Sequence, residues 1–380
     1  MIHTSPLLRY IVLATVFLGA SAGASDVAPD HPARVILFVP DGAGAGTWTV
    51  GRLTIDEPAF EQLPVLGLVD ASGWEHTVSG SAPTATAYST GVRTFMGGLA
   101  VGPDSAPLPT VLEVARDRGM ATGLITTTLI TDATPAAFCA HYTSRDHAEV
   151  ARQMADAGVT LLLGGGRRWF ERVTDADSVS LLDRMRGRYT YVDSAPAFRA
   201  LDLDTVTALL GLFAPGDVAL APGREPTLAE MTGFALDMLG RDPEGFFLLV
   251  ETEETDTQAH NNQPFDVLAP EVLAFDDAIR VGLEYQRRNP ETLIVVVGDH
   301  ETGGLSIVTG SGGRPEARYT TTGHSAALLP MFAGGLPELT ENLPGVGYLY
   351  AVIREIPGRA PDAPRGSETP GARQWTERRW

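Results

Sequence analysis

The chain has 380 residues, 28 of them basic and 47 acidic, for a formal charge of −19. All 28 basic residues are arginine, which excludes a Walker-type phosphate loop, Schiff-base catalysis and a kinase-like ATP lysine. The acidic excess argues against a nucleic-acid-binding surface, and the single cysteine, Cys139, excludes an internal disulfide or a cysteine-based zinc cluster. Any metal must therefore be held by histidines and carboxylates.

In chain order, His3 and Arg9 precede the apolar run Tyr10 to Leu18, and small residues follow. Ala20-Ser21-Ala22 and Ala22-Gly23-Ala24 both fit an A-x-A cleavage rule, which predicts a signal peptide over 1–24 and an exported, periplasmic or secreted product. The run is shorter than the ~20 residues a membrane span needs, and no later segment is long and apolar enough to cross a bilayer. The body, 25–356, alternates short apolar runs with helical stretches. Strands are predicted at Val35–Val39, Ala121–Thr126, Leu161–Leu163, Phe246–Val250 and Leu293–Val297. Helices are predicted at Ala82–Thr90, Leu108–Arg118, Arg145–Ala157, Thr227–Leu239 and Val267–Arg288. This is the pattern of an α/β three-layer sandwich, a mostly parallel sheet with helices on both faces. From Pro357 to Trp380 the composition shifts to Pro, Arg and Gly, as in a solvated tail.

In such a fold ligands bind beyond the carboxyl ends of the strands. Asp41 follows the first predicted strand, Glu251 the fourth, and Asp299-His300-Glu301 the fifth. Asp256 and His260, four apart, would share one face of a helix, either as a metal-binding pair or as a solvated one. His324 lies in a small-residue loop, Thr-Thr-Thr-Gly-His-Ser, where a turn histidine is equally natural. Ser81 follows Gly80 at a helix start, as a nucleophile beside an anion site or as a simple N-cap. Asp132, Thr134 and Arg145 add hard oxygens and a guanidinium that can fork onto phosphate.

Taken in order, the segments VPDG, SGSAPTATAYSTG, TDATPAA…AHYTSR, VETEETDTQAH, GDHETGG and TTTGHSAALLP resemble the alkaline phosphatase family, from Val35 to about Gly334. The resemblance implies a phosphomonoester hydrolase using two Zn2+ and one Mg2+. Asp256, His260 and His324 would hold one zinc; Asp41, Asp299 and His300 would hold the other, beside the nucleophile Ser81. Asp41, Thr134 and Glu251 would hold magnesium, with Asp132 behind them, and Arg145 would clamp phosphate. It further implies a phosphoserine intermediate, small phosphomonoesters and inorganic phosphate as ligands, and leaves a homodimer open. Gly80 stands where the family usually has aspartate, so Arg145 is expected to lack its usual carboxylate partner. Thr302 and Thr257 stand where some members carry histidine and lysine. Alternatives are a phosphodiesterase or sulfatase of the same superfamily, or a non-catalytic exported metal- or phosphate-binding protein.

Overall fold

The computed structural model describes residues 33–172 and 179–335. The signal-peptide reading, the start of the 25–356 body and the Pro/Arg-rich tail lie partly or wholly outside the described residues. Among the described residues eight strands come first: β1 Ala33–Pro40, β2 Val65–Val69, β3 Ala121–Leu129, β4 Leu161–Gly165, β5 Thr190–Val192, β6 Leu209–Leu212, β7 Gly245–Thr252 and β8 Thr292–Val297. Two small ribbons follow, β9 Glu301–Thr302 with β12 His324–Ser325, and β10 Ser306–Thr309 with β11 Pro315–Arg318; β13 is Leu329–Gly334. The main sheet runs β2-β13-β8-β1-β7-β3-β4-β6-β5, and β13 is antiparallel to both of its neighbours. Among the other neighbours every pairing is parallel.

The continuous hydrophobicity of the central strands has a direct cause. Side chains alternate between faces along a strand, and here both faces are covered. Val35, Leu37 and Val39 pack on one side with Phe247, Leu249 and Val295. Ile36 and Phe38 pack on the other with Phe246, Leu248 and Val296. The three-layer sandwich expected from the sequence is therefore present. All five predicted strands form, each slightly longer than its apolar run. The predicted helices also form, at Ser81–Thr90, Val111–Asp117, His147–Asp156, Leu228–Leu239 and Phe265–Arg288.

Strands β8, β1, β7 and β3 are mutual neighbours, so their carboxyl ends open on one edge of the sheet. Helix Ser81–Thr90 is fixed against that edge: the Tyr88 hydroxyl donates to Gly298 O at 2.6 Å, directly before Asp299. All ten residues of this helix are buried, which its Ala, Ser and Thr composition permits. Pro83 sits in the first turn, where an N–H has no helical partner to lose. Cys139 is a buried thiol whose Sγ lies 3.7 Å from Pro135 O.

Candidate active site

Gly42, directly after Asp41, has φ +69°, and a Cβ there would lie 2.6 Å from Asp256 Oδ1 and 2.8 Å from Asp256 Cα. Glycine is thus required for the β1 turn to pass under helix Glu254–His260. The Gly42 N–H donates to Asp299 Oδ1 at 3.0 Å and the Thr255 hydroxyl to Asp41 O at 2.5 Å. Three strand ends are thereby stitched together around Asp41, Asp256 and Asp299.

The histidines carry the decisive geometry. His260 Nδ1 lies 2.6 Å from Thr322 O, and His324 Nδ1 lies 2.8 Å from Ser79 O. A carbonyl only accepts, so each Nδ1 carries a proton and each ring turns its Nε2 inward. Those two Nε2 atoms are 3.1 Å apart, and His260 Nε2 is 3.2 Å from Asp256 Oδ2. Two ring nitrogens at that distance, beside a carboxylate, form a pocket that a cation can occupy, whether a metal ion or a shared proton. Burial and the neighbouring His300 hold His324 below its ordinary value, which favours the neutral ring.

His300 follows the same logic through Thr302. The Thr302 hydroxyl donates to Asp256 Oδ1, so it accepts from His300 Nδ1 at 3.1 Å and turns His300 Nε2 toward the strand-end carboxylates. That nitrogen is 3.2 Å from Asp41 Oδ1, 3.4 Å from Asp299 Oδ2 and 3.4 Å from Ser81 Oγ. Asp41 Oδ1 and Asp299 Oδ2 are buried and accept no hydrogen bond. Burial first, then Asp299, Asp256 and Glu251, hold the Asp41 carboxyl well above the usual carboxylate range.

A third cluster lies between β1 and β3. Asp41, Glu251 and Glu253 bring carboxylate oxygens within 4.8 Å of one another. The Thr134 hydroxyl, on the short helix Ala133–Ala136, faces Glu251. Burial pushes Glu251 up to about 8, with Asp132 and Asp299 adding to the effect. Asp132 caps the short helix by accepting from Ala133 N at 2.7 Å, and the same oxygen accepts from Arg145. Gly80 gives Arg145 no carboxylate, and Asp132 engages it instead from the loop after β3. Burial would lower the Arg145 value, but Asp132, with Asp41 and Glu253 beyond it, raises it on balance.

Every residue singled out from the sequence, Asp41, Ser81, Asp132, Thr134, Arg145, Glu251, Asp256, His260, Asp299, His300 and His324, therefore lies at this one edge. Sequence reasoning passed over Glu253 and the orienting role of Thr302. Glu253 is visible only as one of several carboxylates in ETEETDTQAH, and Thr302 as the residue two places after His300.

The comparisons with known proteins agree with this geometry. The family model described as alkaline phosphatase matches residues 33–332. The chain belongs to the alkaline phosphatase family. It is 33% identical to alkaline phosphatase 3 of Bacillus subtilis over 73% of this chain and 63% of that protein. With the alkaline phosphatase of Escherichia coli it shares 30% identity over 74% of this chain and 72% of the relative. With the streptomycin-6-phosphate phosphatase of Streptomyces griseus it shares 33%, over 87% of this chain and 91% of the relative. Thus the chain spans less than two thirds of the B. subtilis protein but nearly all of the S. griseus one. The alkaline phosphatase from the Antarctic bacterium TAB5 superposes with a TM-score of 0.78 at 28% identity, over 86% of this chain and 98% of that one. A mutant of that enzyme is described with Mg bound in its M3 site.

Proposed function

We propose that the protein is an exported, metal-dependent phosphomonoester hydrolase that works through a phosphoserine on Ser81. The observation that carries this reading is the convergence of three imidazole Nε2 atoms and buried carboxylate oxygens that accept no hydrogen bond, beside the Ser81 hydroxyl. The donor types fit the groups: imidazole and carboxylate suit Zn2+, and an all-oxygen set suits Mg2+. Asp256, His260 and His324 would hold one zinc, and Asp41, Asp299 and His300 the second with Ser81. Asp41, Thr134 and Glu251 would hold magnesium, with Asp132 behind. When bound, such cations stabilise charge on a transferring phosphoryl group and activate oxygen nucleophiles.

The chain's own residues supply position. Ser81 stands at the first turn of a helix locked to β8 through Tyr88, so its Oγ is held at the anion-favouring end of the helix. Attack forms the Oγ–P bond and breaks the P–O bond to the alcohol, which leaves with a proton. Water then cleaves Oγ–P, releasing inorganic phosphate and restoring the serine hydroxyl. Arg145, with five N–H donors and an Asp132 anchor, has donors left for a phosphate oxygen. Relatives named as general alkaline phosphatases and as a sugar-antibiotic phosphate phosphatase support a monoester, without choosing the alcohol. Export rests on Arg9, the Tyr10–Leu18 run and the cleavage sites before Ser25. Among the described residues no helix is long and apolar enough to cross a membrane.

Turnover of an aryl phosphomonoester, a diester and a sulfate, compared side by side with and without zinc, tests the reading. The monoester should be hydrolysed fastest by orders of magnitude, and only with metal. A faster diester or sulfate rate would move the protein to the alternative class within the superfamily. Stoichiometric phosphate binding without turnover would make it a binding protein.

The Asp132 anchor also changes what a carboxylate at position 80 would do. A Cβ on Gly80 would lie 3.2 Å from Met96 Cε and 3.5 Å from the His324 ring. Gly80→Asp would therefore add negative charge beside a candidate ligand and bound phosphate, while Arg145 already has its partner. The variant is expected to be inhibited more weakly by inorganic phosphate. Tighter inhibition at fixed zinc and magnesium would show that Arg145 prefers position 80 to Asp132.

A further inference from the structure

The segment between β7 and its helix holds a carboxylate that the family resemblance leaves without a task. Glu253 occupies the N-cap position of helix Glu254–His260, yet its side chain makes no capping bond. Its backbone N–H is satisfied instead by Thr127 Oγ1 at 3.1 Å, which pins the end of β7 to β3. The side chain is thereby directed to the cluster, with a carboxylate oxygen within 4.8 Å of those of Asp41 and Glu251. The nearby cation Arg145 is engaged by Asp132.

A second observation points to a ligand independently of the acidic cluster. Both Glu251 oxygens, Thr134 Oγ1 and Asp41 Oδ1 are buried and accept or donate no hydrogen bond. Glu251 is 0% exposed, and Thr134 and Asp41 are each 1% exposed. Native proteins rarely leave so many buried oxygens unsatisfied in one place. Four buried hard oxygens that make no regular hydrogen bond, facing one carboxylate more than the family set provides, suit the inner shell of a divalent cation, even though His300 Nε2 lies 3.2 Å from Asp41 Oδ1.

We propose that Glu253 is a further oxygen ligand of this third site, joining Asp41, Glu251 and Thr134. The proposal rests on the magnesium-site reading above and extends it. Mg2+ usually keeps several waters and takes one or two carboxylates, whereas affinity at oxygen sites rises with ligand charge. A third carboxylate replaces a water and adds a negative charge, so this site should retain its cation where a two-carboxylate site would release it. Thr257 Oγ1, 3.4 Å from Glu253 Oε1, steadies the carboxylate from one helical turn away.

The test uses the full chain, stripped of metal, reloaded with zinc and titrated calorimetrically with Mg2+ in the absence of substrate. Glu253→Gln is expected to weaken Mg2+ binding by about tenfold or more, with zinc content unchanged. Glu251→Gln serves as the reference and should weaken it at least as much. If Glu253→Gln binds Mg2+ as the parent does while Glu251→Gln loses it, the proposal fails and the magnesium-site reading stands. If neither substitution alters Mg2+ binding, the magnesium-site reading fails and takes the proposal with it. Unchanged Mg2+ affinity with altered phosphate inhibition would make Glu253 a partner of Arg145, which also overturns the proposal. Should the glutamine variant misfold, Glu253→Asp keeps the charge, retracts the oxygens by one methylene, and is expected to show the same loss.

Discussion

Ser81→Ala is expected to lower kcat by several orders of magnitude while leaving the bound metal content nearly unchanged. The nucleophile is removed, but most of each ligand set remains. The fold should tolerate the change, since Gly80 is the N-cap and alanine is a strong helix former at the first helical position. In the parent protein, acid quenching during turnover should place phosphate on Ser81 and nowhere else. The geometry discriminates sharply among neighbouring hydroxyls. Ser79 Oγ is 2.7 Å from Thr84 Oγ1, and both are buried. Thr86 Oγ1 donates to Gly98 O and accepts from Ala100 N, each at 2.9 Å. Ser81 Oγ, by contrast, faces His300 Nε2. Mass spectrometry that located the phosphate on Ser79, Thr84 or Thr86 would overturn the assignment of the nucleophile, as would a Ser81→Ala protein with near-normal turnover.

Much of this site is legible in the order of the residues alone, and the reason is physical. In a parallel sheet covered on both faces, strands read as uninterrupted apolar runs, so the first polar residue after each run marks the edge where ligands bind. Asp41, Glu251 and Asp299 are those residues. Helix Ser81–Thr90 is legible from its small side chains and the glycine before it. The short strands β2, β5 and β6 are not, because three to five residues of apolar sequence do not separate a strand from a loop or a helix turn. Strand β2 even exposes Leu66 and Leu68 at the sheet edge, so its pattern does not report burial.

Two contacts within the site depend on loop geometry that no spacing encodes. Arg145 and Asp132 are 13 residues apart, and the loop and short helix between them must fold back before the pair can form. Their pairing replaces the contact that Gly80 cannot make. Thr302 orients His300 and Asp256 only because β9 turns immediately after β8 and pairs with β12, which also delivers His324. A family pattern shows which residue types to expect at these positions, whereas the hydrogen bonds show how a threonine can orient a candidate ligand histidine.

Stripping the metals with a chelator is expected to abolish turnover and also to reverse the protein's response to mild acid. Without cations the buried carboxylates face each other, and protonation relieves both the burial penalty and the repulsion. Glu251 is held at about 8 in the folded chain against an ordinary 4.5. Between those values the folded state binds a proton that the unfolded chain releases, so stability grows as pH falls through about 8 and is lost as pH rises through it. Asp41 and Glu253, also held high, act in the same direction. His324 acts oppositely, because its lowered value penalises the folded state once protons compete below 6.5. The informative window therefore runs from about pH 8.5 down to about pH 7, above the histidine range. Across it Glu251 contributes roughly 1 kcal/mol, with Asp41 and Glu253 adding in the same direction, so the metal-free Tm should rise by about 2 °C or more. Glu254, outside the metal clusters and held at about 7 chiefly by burial, titrates in both forms and cancels from the comparison. The metal-loaded protein should show the opposite slope, since protons displace cations from their ligands. A metal-free Tm that is flat or falls on going from about pH 8.5 to about pH 7 would mean that the carboxylates are not buried together. Full turnover after thorough stripping would remove the cations from the chemistry altogether.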